Sequence, residues 1–156
     1  MSRLIMIVLC VLSGALFGCV EATDVPEPLH GVQMGQDPLG VYNPIANGEE
    51  IPVIYGYQGG FHLPMAIQAA GAEHGEVLEM WFTVTDISTD EVVAQNRFLR
   101  QVDDIDENGN FIVGGLYVLV EGPDLVADRK LRITAEISDG DAVSSVERWV
   151  WCVNEH

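Results

Sequence analysis

Two stretches of this chain carry residue types at spacings that do chemistry. In "DDIDENGNF", Asp104, Asp106, Asn108 and Gly109 reproduce the D-x-D-x-N-G opening of a calcium loop. A hard cation takes oxygen ligands at alternating positions and needs a glycine where the loop bends sharply. The twelfth position is Gly115, so the bidentate glutamate is missing. The flanking residues also have the pattern of strands, and the expectation is an acidic hairpin turn with Asn108-Gly109 at its tip. The other stretch is "YGYQGGFHLP", residues 55 to 64, where Gln58, Gly59, Gly60 and His62 stand among aromatic residues. A metal there would need more ligands, and neither His74 nor Met80 lies at a local ligand spacing. The expectation is a strand entry, with no metal site and no cofactor. If Phe61, Leu63, Met65 and Ile67 face the core, His62, Pro64, Ala66 and Gln68 share the other face, and Pro64 marks an edge or a bulge.

"ERWVWC" sets Trp149 and Trp151 on one side of a strand and Arg148, Val150 and Cys152 on the other. Paired indoles can stack sugars, but large aromatics are more often core, and the tryptophan side is expected to be the buried one. Catalytic motifs are absent. There is no G-x-S-x-G elbow, the serines beyond residue 18 are Ser88, Ser138, Ser144 and Ser145, and Cys152 has no nucleophile signature. Carboxylates are plentiful, but a small β-domain leaves little room for a deep cleft between two of them. The chain is expected not to be an enzyme.

The segments that must position these residues are short and alternate. In "VLEMWFTV", Leu78, Met80, Phe82 and Val84 share a face; in "KLRITAEI", Leu131, Ile133, Ala135 and Ile137 do. "STDE", "DENGN" and "SDGD" are tight connections rich in Asp, Asn and Gly, and no stretch sustains a helical period. Seven or more such strands predict an all-β fold, an antiparallel two-sheet sandwich of immunoglobulin-like or fibronectin-type form, with a closed barrel as the alternative. There is no Cys…Trp…Cys arrangement of the antibody kind.

The N-terminus is set apart from this domain. Arg3 is followed by the apolar run Leu4 to Leu16, shorter than the roughly 20 residues a spanning helix needs. The run ends in Leu16-Phe17-Gly18-Cys19, which resembles the lipobox of bacterial lipoproteins, with Phe17 a less common choice at its position. The resemblance implies a signal peptide over 1–18, cleavage before Cys19 and acylation of that cysteine. It also implies a membrane attachment through the lipid, and Val20 in place of an aspartate favours the outer membrane of the cell envelope. Two or more acyl chains anchor stably where one does not. Residues 19–30, with Pro26 and Pro28, are expected to be a flexible tether, and 31–156 a single domain.

Loss of Arg3 with the signal segment takes the net charge from −17 to −18. That charge excludes nucleic acid as a partner. With Cys10 in the signal segment and Cys19 acylated, Cys152 is left unpaired and is expected to be a buried small hydrophobe. "NGEEIPVIYGYQGGFHLPMAIQAAG", Asn47 to Gly71, is similar to a stretch of uncharacterised secreted lipoproteins of myxobacteria; the similarity implies localisation and fold, not mechanism. The expected function is a lipid-anchored structural or interaction module with an envelope protein or glycan partner. The alternative is a calcium- or carbohydrate-binding envelope domain.

Overall fold

The structure is a computed structural model and describes residues 28–56 and 60–154. Among the described residues nine strands follow in order: β1 His30–Gln36, β2 Asn43–Pro44, β3 Glu50–Tyr55, β4 Phe61–Ala70, β5 Val77–Asp86, β6 Glu91–Gln101, β7 Asn110–Val120, β8 Arg129–Ser138 and β9 Val143–Asn154. A 3-10 turn, Pro123–Leu125, precedes β8. The all-β expectation holds. The alternation in β5 and β8 has a direct physical outcome: Leu78, Met80, Phe82, Val84, Leu131, Ile133, Ala135 and Ile137 are all fully buried.

The strands form one hydrogen-bonded path, β2-β1-β4-β3-β9-β8-β5-β6, with β7 on the far side of β4. Strand β3 joins the two halves. Ile54 and Tyr55 pair with His62 and Phe61 of β4, while Glu50 to Val53 pair with Trp151 to Asn154 of β9. The β3–β9 pairing is parallel, which corrects the expectation of a purely antiparallel sheet. Parallel neighbours require a long crossover, and nearly the whole domain lies between these two strands in sequence.

Strand β4 is central rather than an edge, pairing with β7 on one side and with β3 and then β1 on the other. Leu63 through Ile67 are buried without alternation, so the expected open face at Pro64 and Ala66 is closed. Pro64 is tolerated because its missing N–H points into the gap between the end of β3 and the start of β1 pairing. Its carbonyl, on that same side, accepts the Asp37 amide at 3.3 Å. A register shift between Met65 and Ile67 lies just beyond it. Opposite that shift, β7 carries an extra residue at Gly114-Gly115, with Gly115 at φ +63°. Its amide donates to Asp37 Oδ2 at 3.0 Å, and a Cβ on Gly114 would lie 2.0 Å from the same oxygen. The glycine at the twelfth position of the calcium-like run thus serves a β-bulge.

The sheet curls until β6 approaches β7. Asn96 on β6 reaches across to β7, donating to the Leu119 carbonyl at 3.0 Å and accepting the Leu119 amide at 3.1 Å. One side-chain amide therefore takes the place of a backbone ladder at this seam.

Candidate functional site

Strand β9 settles which side of its alternation is inside. Val146, Val150 and Cys152 are buried against the core, and Trp149 and Trp151 turn outward. The expectation of a buried tryptophan side is therefore corrected. Both sides of "ERWVWC" are apolar, and burial follows the face that meets Leu131 of β8 and Ile51 of β3 in register. Cys152 sits there fully buried, and burial pushes its thiol up to about 12, the behaviour of an inert core residue.

Strands β5, β8 and β9 present their outer face as one surface holding all three tryptophans. Two of the indoles are occupied by neighbours. Trp81 donates from Nε1 to Glu79 Oε1 at 2.7 Å, and the Arg97 guanidinium, itself bonded to Glu79, lies 5.4 Å from its ring centroid. Trp149 has Lys130 Nζ 3.9 Å above its ring. The turn before β3 closes on the same residue: Asn47 Oδ1 accepts the Trp149 amide, and Gly48, at φ +86°, lies so close that a Cβ would be 2.5 Å from the indole. Among the described residues Trp151 carries no such cover, and it is 44% exposed.

Beside Trp151 lies a cleft of about 340 Å³ bounded by Asp86, Ile87, Ser88, Asp128, Arg129 and Lys130. Three elements build it. The β5–β6 turn contributes Asp86 to Ser88, the start of β8 contributes Asp128 to Lys130, and β9 contributes the indole. Backbone bonds lock them together: the Ile87 amide donates to the Lys130 carbonyl at 3.1 Å, and the Asp128 amide to the Cys152 carbonyl at 2.7 Å. Asp86 is the anchor. It is 1% exposed, and its Oδ1 accepts both the amide and hydroxyl of Ser88 at 2.8 and 2.6 Å. Its Oδ2 accepts Arg129 at 2.6 Å. The Ser88 hydroxyl, followed by Arg129, holds the Asp86 carboxyl down at about 2. A carboxylate with both oxygens engaged and so low a value is a fixed charge, not a proton carrier.

The acidic turn behaves as a hairpin tip. Asp106 Oδ1 accepts the amides of Asn108 and Asn110, each at 2.8 Å, and the Asn110 side chain caps Oδ2 at 3.1 Å. These bonds, the Asn110 side chain foremost, hold the Asp106 carboxyl below its usual range. Asp104 and Asp106 also border a second cleft of about 500 Å³ whose other wall includes Asp37 and Tyr42. Asp37 Oδ1 and Tyr42 Oη are buried with no hydrogen-bond partner among the described residues, and the cleft is polar and roomy enough for water to meet them.

His62 packs its ring against Gly56, where a Cβ would fall 2.1 Å from Nε2, and edge-on to Tyr117 at 5.9 Å between centroids. It is a packed strand-entry residue. Met80 is core and His74 is exposed in the β4–β5 turn. Among the described residues, no group of three or more His, Cys, Asp or Glu side chains is placed to hold a metal ion. Cys19, the expected lipidation site, and Tyr57 to Gly59 lie outside the described residues.

Sequence reading missed Asp86, Ser88, Asp128, Arg129 and Lys130. A signal was there in the adjacent pair Arg129-Lys130, two of only six cationic residues beyond Arg3, and in the Asp86-x-Ser88 turn. No family model and no curated protein matches the chain. Among solved structures, an immunoglobulin-like protein from Pseudomonas aeruginosa is similar at 13% identity and a TM-score of 0.41, covering 81% of this chain and 98% of that one.

Proposed function

We propose that this chain is a lipid-anchored module of the bacterial cell envelope, an immunoglobulin-like or fibronectin-type sandwich that works by binding rather than by catalysis. The observation that carries this reading is the outward placement of Trp81, Trp149 and Trp151 on one sheet face, since indoles turned to water are typical of recognition surfaces. The fixed ionisation of Asp86 argues against proton-transfer chemistry in the adjoining cleft. Calcium is disfavoured because the oxygens of Asp106 serve their own turn.

The Ser144 hydroxyl donates to the Leu29 carbonyl at 2.7 Å, so the described chain begins beside the start of β9. Trp151 lies seven residues further along that strand, about 23 Å away at the usual rise. A lipid on Cys19 would tether the domain through the segment that enters it beside the start of β9. The test is the mass of the mature N-terminus together with membrane fractionation. Acyl mass on Cys19, and release of the Cys19→Ala chain into the soluble fraction, are expected. An unacylated native chain recovered as a soluble protein would overturn the reading.

A further inference from the structure

We infer that the cleft beside Trp151 binds a neutral pyranose ring of a glycan, with the Trp151 indole and Ile87 as its apolar wall and Ser88, Asp128, Arg129 and Lys130 as its polar rim. This rests on the reading of the chain as a binding module and names what it binds. A pyranose ring is amphipathic, with C–H groups on its faces and hydroxyls around its edge. It is recognised by an uncovered aromatic face beside fixed donors and acceptors. Trp151 offers that face, since Lys130 occupies the Trp149 ring and Arg97 the Trp81 ring. Ile87 is 40% exposed beside the same cleft. The volume of about 340 Å³ stands at the small end of the range for ligand sites.

The rim is preformed. Arg129 is tied through one nitrogen to Asp86, which leaves other N–H groups of its planar fork directed by that bond. Backbone bonds fix Ile87 against Lys130 and Asp128 against Cys152. Charge selects the ligand. Asp86 and Asp128 offset Arg129 and Lys130, so the cleft has no net charge in a chain of −17. An anionic sugar would meet repulsion from the chain as a whole, and a cationic ligand would find no local excess of acid. An uncharged polyhydroxylated ring meets neither penalty.

The test uses the full chain in detergent, titrated with neutral hexose and N-acetylhexosamine oligomers and with a uronic-acid oligomer of equal length. Binding is read by tryptophan fluorescence and calorimetry. Saturable binding of at least one neutral oligomer is expected, with the uronic-acid oligomer weaker. Trp151→Ala should weaken it about tenfold or more, while Trp81→Ala leaves it unchanged. Failure of every neutral oligomer up to millimolar concentration would overturn the inference. So would an unaffected Trp151→Ala chain with native thermal stability, or tighter binding of the uronic-acid oligomer. Acylation of Cys19 is measured on the same preparations. Intact acylation with no glycan binding sinks the glycan and spares the anchored module; glycan binding by an unacylated chain supports the glycan and sinks the lipid anchor.

Discussion

The inner and outer faces of β5, β8 and β9 are made by the same three strands, and they are organised by different forces. Inside, Phe82, Ile133 and Val150 are buried by area alone, and any apolar group of the right volume would serve there. Outside, several large side chains are placed by specific neighbours: Arg97 on Trp81, Lys130 on Trp149, Arg132 between Asp90 and Glu147. Among the described residues Trp151 stands apart as the large aromatic of that surface without such a neighbour. The core is specified collectively and the surface pair by pair.

The largest expected effect tests the inner face directly. Val150→Asp puts an unpaired carboxylate at a fully buried site and should cost more than about 4 kcal/mol, enough to unfold a marginal domain. The neighbouring Trp151→Ala, on the outer face, should change stability by only about 0.5 kcal/mol. Denaturant melts of the two chains check the contrast, and similar losses in both would erase the distinction between the faces.

A second effect belongs to Asp86, the charged residue that the inner side encloses. Its folded value of about 2 lies below its ordinary 3.8. The stabilisation it gives is therefore complete above about pH 4 and lost as pH falls toward 2. Asp86→Asn should lower Tm at pH 7 and lose most of that deficit by pH 2. A native chain with a flat Tm between pH 5 and pH 2, matched by the variant throughout, would show that the Ser88 and Arg129 bonds contribute nothing.

The smallest effect concerns the acidic turn. Even a site with a millimolar Kd gains only about 0.4 kcal/mol when calcium equals that Kd, whereas a micromolar site at millimolar calcium would gain roughly 4 kcal/mol. Calorimetric melts with and without millimolar calcium should nearly coincide. A large shift abolished by Asp104→Asn with Asp106→Asn would make the turn, not the tryptophan face, the functional centre.

Much of the fold was legible because alternation in β5 and β8 leaves no choice of face, one side being wholly apolar. Strand β9 was ambiguous. Its two sides carry Trp149 with Trp151 against Val150 with Cys152, and the only charges, Glu147 and Arg148, fall one on each. Arg148 lies on the inner side at its margin, donating to the Ile45 carbonyl at 3.0 Å. Periodicity identifies two faces and is silent on which one meets the core. The cleft was hidden for a different reason. Asp86 and Arg129 are 43 positions apart, and only the register of β5 against β8 brings their neighbourhoods together. The double pairing of β3 depends likewise on partners at opposite ends of the domain. The Asp106 turn, by contrast, is made within five residues and could be read directly.

The seam held by Asn96 has a consequence for how the protein behaves at high concentration. Sheets grow by recruiting a stranger's strand to an open margin, and β6 and β7 are long enough to be inviting templates. Asn96 spends both its donor and its acceptor on the Leu119 peptide, so at that point each margin is already answered by the other. A single amide thus occupies the backbone groups of Leu119 that a stranger's strand would need there, while the short β2 margin at the other end of the path carries Pro44.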